Sequence, residues 1–109
     1  MKKFMLSFIF VLISTPIFSQ IEVKYFNAEW NKANDISWVS KLTDCEIKNY
    51  DIGVKPQDAA EYKVVVVPTI LIFQDGEEVK RYQADISFKM EATKEEVQDS
   101  IDELVMSAF

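Results

Sequence analysis

The tightest constraint in this chain is the four-residue stretch Gln74-Asp75-Gly76-Glu77, set between the apolar run Thr69 to Phe73 and the more polar run Glu78 to Ala84. Asp-Gly supplies the positive φ angles of a two-residue hairpin turn at little cost. Thr69 to Phe73 therefore reads as a strand, and Glu78 to Ala84 as its antiparallel partner. Every other element must be compatible with that hairpin. Upstream, Ile21 to Asn27 mixes Ile, Val, Tyr and Phe, which suits a buried strand. Cys45 to Ile52 alternates, with Ile47, Asn49 and Asp51 on one side and Lys48, Tyr50 and Ile52 on the other.

Helices are expected between these strands. Ile36, Trp38, Val39 and Leu42 share a face if Asn34 to Leu42 is helical, with Asn34 or Asp35 as its cap. Pro56 opens a short helix to Tyr62, where its missing N–H costs nothing. Thr93-Lys94-Glu95-Glu96 is a capping box ahead of a helix whose buried stripe is Val97, Ile101, Leu104, Val105 and Ala108. The order predicts an α/β fold: a four-stranded mixed sheet flanked by helices on both faces. Its first two strands are parallel, joined by a right-handed crossover.

The first 19 residues stand apart. Lys2 and Lys3 precede an apolar run from Phe4 to Ile13, then Ser14-Thr15-Pro16 and Ser19. This is a secretory signal pattern over 1–19, which leaves residues 20–109 as one domain, expected to be secreted or periplasmic. An uncleaved anchor is the alternative, and membrane association is expected only in that case. Without the two lysines, 10 basic and 18 acidic residues remain, a net charge of −8. Such a surface repels phosphate backbones, so no nucleic-acid partner is expected. With no histidine and one cysteine, no zinc-type ligand set is available, and neither a metal nor a cofactor is expected. Cys45 stays a free thiol or pairs with another molecule.

The segment Phe26-Asn27-Ala28-Glu29-Trp30, followed by Tyr62-Lys63-Val64 and Val67-Pro68-Thr69 and then the Asp-Gly hairpin, resembles the thioredoxin family. The likeness runs from Val23 to about Ala108. It implies a thioredoxin-like fold and a cis Val67–Pro68 bond. It also implies that the functional edge lies where Trp30 meets the proline loop, and that the Val67 backbone can pair with an extended peptide. The family's C-x-x-C should follow Trp30. Here Asn31, Lys32, Ala33 and Asn34 stand there, so the dithiol is absent. The family's buried acid aligns with Tyr25, and a glycine near the end of the last strand aligns with Ala84. The family's first strand and helix have no counterpart.

The resemblance thus implies a redox-inactive domain that binds a protein or peptide, or serves as a scaffold, with Trp30, Val67 and Pro68 as the peptide-binding residues. The alternative is a thiol–disulfide oxidoreductase that works through Cys45 or a partner's thiol. Strand polarity places Cys45 at the wrong end of the sheet for that. Asn31 and Asn34 have two readings. Both are helix N-caps, or Asn31, Lys32 and the cis-proline backbone form a polar site near a helix N-terminus that suits an anionic group or peptide carboxylate.

Overall fold

The computed structural model describes residues 20–108. The signal segment proposed for 1–19 lies outside the described residues. The strands are β1 (Ile21–Asn27), β2 (Glu46–Asp51), β3 (Thr69–Gln74) and β4 (Glu77–Gln83). They form one sheet in the order β2-β1-β3-β4. β1 and β2 are parallel, and the other neighbours are antiparallel. The mixed sheet expected from the sequence is therefore present. At the hairpin, Asp75 has φ 53° and Gly76 φ 86°, the left-handed values that Asp-Gly favours.

Among the described residues two α-helices flank the sheet: α1 (Pro56–Glu61), with proline in its first turn, and α2 (Lys94–Ser107). The capping box holds. The Thr93 hydroxyl accepts from the Glu96 N–H at 3.2 Å, and the Glu96 carboxylate accepts from the Thr93 N–H at 2.9 Å.

The period of two in β1 divides the core. Val23 and Tyr25 join Ile70 and Ile72 on one face, where α2 adds Val97 and Ile101. Phe26 joins Leu71, Val64 and Val67 on the other, where α1 adds Ala59. This second core is aromatic. The Phe26 ring stacks on Tyr50 at 4.6 Å and 11°, and lies 5.6 Å from Tyr62. Lys24 enters the same layer with its ammonium 5.1 Å from the Phe73 ring centre and 5.3 Å from that of Tyr62. It also meets Glu22 at 2.9 Å. Burial works against the Lys24 charge, but its bonds to Glu22 and Tyr50 outweigh that and raise its pKa above the ordinary value.

One predicted element is corrected. No α-helix spans Asn34 to Leu42. Two 3-10 helices, Glu29–Asn34 and Ser37–Lys41, stand in its place. The Tyr25 hydroxyl braces this stretch from two sides. It donates to the Asp35 carboxylate at 2.6 Å and accepts from the Ile36 N–H at 2.8 Å, while the Asp35 N–H takes the Lys32 carbonyl at 3.1 Å. Asp35 is left extended, at φ −62° and ψ 144°. Ile36, Val39 and Leu42 are still buried, at the spacing of three that a 3-10 winding requires.

Candidate functional site

The carboxyl end of β1 runs through Asn27 and Ala28 into the first 3-10 helix, beside the Val67–Pro68 loop. The Val67–Pro68 bond is cis. Asn31 links the two. It is only 4% exposed, and its Nδ2 donates to Asn27 Oδ1 at 3.0 Å and to the Val67 carbonyl at 3.4 Å. Its own Oδ1 accepts from Asn34 Nδ2 at 2.9 Å. Neither residue caps a helix: the cap positions are Ala28 and Ile36, without side-chain bonds. Both N-cap readings are thereby corrected. So is the anion site at a helix N-terminus. Lys32 lies in the last turn of a six-residue helix and faces Glu29 at 3.6 Å.

A second set of bonds braces the first. Tyr25 donates to Asp35 at 2.6 Å, accepts from the Ile36 N–H, and takes a longer bond from Asn27 Nδ2 at 3.4 Å. Burial and then the Asp35 carboxylate push the Tyr25 phenol above its usual pKa, so it stays a proton donor through the neutral range. Where the resemblance implies an acid, this chain has a neutral hydroxyl that shapes the turn.

Of the three residues expected to bind peptide, Trp30 is open, at 64% exposure, while the Val67 and Pro68 side chains are buried. The Val67 carbonyl is engaged by Asn31, and its N–H donates to nothing among the described residues. Pro68 accepts from the Ala84 N–H at 3.0 Å, which ties the end of β4 to this loop. Ala33 is exposed and Asn34 half-buried.

Phe88 is a residue that the sequence did not single out. Its ring meets Trp30 edge-on, at 5.6 Å and 81°. It sits at φ 67°, a left-handed conformation that a bulky side chain adopts only under constraint. The constraint is Asp85, whose carboxylate accepts from the Ser87 and Lys89 N–H groups and the Ser87 hydroxyl. Asp-x-Ser is a turn signature, so the loop's order was readable even though its contact with Trp30 was not.

Cys45 lies just ahead of β2, at the end opposite the motif. The paired run from Glu22–Glu46 to Asn27–Asp51 separates them by roughly 15–20 Å at the usual strand rise. Burial, and secondarily Asp44, push its thiol up to about 11. Alkylation of Cys45 by iodoacetamide at pH 7 is expected to run about 100-fold slower than that of an unstructured thiol and to accelerate in urea. A native rate equal to the unfolded one would contradict the buried placement.

No family model matches the chain. Over 41 residues it is 37% identical to the thioredoxins of Mycobacterium bovis and Mycobacterium tuberculosis, a match that covers 38% of this chain. The chain thus spans about a third, 35%, of the length of the curated relatives it matches. Among solved structures, thioredoxin 1 of Thermosipho africanus superposes with a TM-score of 0.61 at 22% identity, covering 80% of this chain and 97% of that one. A Halobacterium salinarum thioredoxin gives 0.61 at 21% identity, over 79% of this chain and 75% of that one. Fasciola hepatica thioredoxin gives 0.57 at 25% identity, over 80% and 83%. With strand order, proline loop and these likenesses in agreement, the chain has a thioredoxin-like fold and, with its single cysteine, no C-x-x-C motif.

Proposed function

We propose that this domain is a secreted or periplasmic binding module with no redox turnover, holding a protein or peptide segment at Trp30 and the Val67–Pro68 loop. One observation carries the reading. The position of the family's first thiol is occupied by a buried amide that is fully bonded to its own neighbours. Nothing nucleophilic is left there, yet the loop and the exposed tryptophan beside it are kept in order. The Phe88 edge contact and the Asp85-braced loop hold Trp30 in one place, which lowers the entropy lost when a partner orders it. Cys45 does not restore the chemistry, because it is distant from the loop and protonated at neutral pH.

The test is a disulfide-reduction assay on three proteins: the wild type, Cys45→Ser, and Asn31→Cys/Asn34→Cys. All three are expected at background. The paired cysteines would sit in a kinked 3-10 helix, without the α-helix N-terminus that lowers a thiol pKa. Turnover in the wild type that vanishes in Cys45→Ser would sink the inactive reading. Binding is tested by capturing partners from the secreted or periplasmic fraction of the producing cell with wild type and Trp30→Ala. A partner held equally by both would move the binding surface away from the motif.

A further inference from the structure

We infer that the open edge of β2 is a second docking site, one that accepts an extended, basic protein segment as an added strand. Among the described residues, β2 is an end strand of the sheet. The Ile52 N–H bonds to the Asn27 carbonyl at 3.0 Å, so strand alternation turns the backbone of Tyr50 and Lys48 toward β1. The N–H and C=O groups of Ile47 and Asn49 then face outward. The edge is bounded at its far end, where the Asp51 carbonyl accepts from Val54 and Lys55. This leaves a short ladder of the length that an added strand uses.

Beside this ladder lies a cleft of about 580 Å³, on the face that carries Tyr25 and Asn49. Its walls are Asp35, Ser37 and Ser40 from the 3-10 region, with Tyr25, Asn49 and Asp51 from the strands. A strand paired to β2 would run about 4.8 Å beyond it. Its residue opposite Asn49 would point to the same face, toward the cleft.

The charge of the cleft selects the occupant. Glu29, Asp35 and Asp51 line it, against one basic residue, Lys32, which already faces Glu29. One Asp35 oxygen is used by Tyr25 and Asn27, and the other has no partner among the described residues. Three carboxylates on an acidic domain favour a lysine or arginine side chain entering from the added strand. Backbone pairing supplies affinity, and the carboxylates supply the choice of side chain.

The test uses a fluorescein-labelled heptapeptide of alternating valine and lysine, titrated by anisotropy against the protein as isolated from the producing cell. Two control peptides accompany it: one with glutamate in place of lysine, and one with N-methylated amides on alternate residues. Saturable binding by the basic peptide alone is expected. Asp35→Asn should weaken it about fivefold, the scale of an exposed ion pair. Asn49→Pro removes one outward N–H while sparing the bonds to β1, and should weaken binding about tenfold or more. Circular dichroism checks that both variants fold. If Asn49→Pro does not, the N-methylated peptide decides the backbone question alone. Equal binding by either control peptide, or no binding at about 1 mM, overturns the inference. A dimer of the free protein that Asn49→Pro dissolves also overturns it, assigning the edge to a second copy.

Discussion

Phe26→Ala is expected to remove about 3–5 kcal/mol of folding stability, a large share of what a domain of this size has. Phe26 is fully buried at the centre of the aromatic core, between Tyr50 and Tyr62. Truncation leaves a void whose walls are rings tied down elsewhere. Tyr50 is fixed by β2 and by the Lys24 ammonium at 3.3 Å, and Tyr62 packs edge-on against Phe73 at 5.8 Å. Neighbours so held collapse poorly, which places the cost at the upper end of the range for such cavities. Urea unfolding followed by circular dichroism gives the number. Phe26→Leu should cost less than half as much. A loss below about 1 kcal/mol for the alanine variant would show that this face is loosely packed.

The second large effect is at the amide chain. Asn31→Asp keeps the shape of the side chain and replaces two donor hydrogens with an acceptor. The new carboxylate would confront the Asn27 oxygen and the Val67 carbonyl, both now accepting from Asn31. At pH 7 a loss of about 3 kcal/mol is expected, from a buried charge facing two oxygens. The sign with pH follows from the same contacts. They favour the protonated acid in the folded state, so its folded pKa lies above the unfolded value near 4. The deficit relative to wild type is therefore smallest below about pH 4, grows as pH rises, and levels off above the folded pKa. Asn31→Ala should instead lose about 1–3 kcal/mol with little dependence on pH, since it adds no titrating group. Urea midpoints at acidic and neutral pH separate the two. A pH-independent loss in the aspartate variant would mean that the site is wet and the amide chain is not closed.

What the sequence showed, and what it hid, divides by range. Asp75-Gly76, Pro56 and Thr93 to Glu96 act within four residues, and each produced the expected turn or helix start. The alternation of β2 also placed Ile47 on one face and Tyr50 and Ile52 on the other. The helix expected over Asn34 to Leu42 failed because the bond that decides its start is not local. The Tyr25 hydroxyl reaches the Ile36 N–H eleven positions along the chain, and no window on either residue displays that. With Asp35 held extended there, no helix starts at Asn34, and the apolar spacing that follows winds as 3-10. The site failed in the same way. Asn31 and Asn34 have the chemistry of caps, but the Val67 carbonyl, 36 positions on, sets the role of Asn31.

The two tryptophans of the chain are placed so that they report on different events. Trp30 stands largely in solvent beside the Phe88 edge, so its emission should respond to a partner bound at the proposed proline-loop site. Trp38 packs half-buried against the aliphatic core, so its emission should follow unfolding. Trp30→Phe gives a clean folding probe, and Trp38→Phe a clean binding probe. Occupancy and stability can thus be read optically from one domain, with no attached dye.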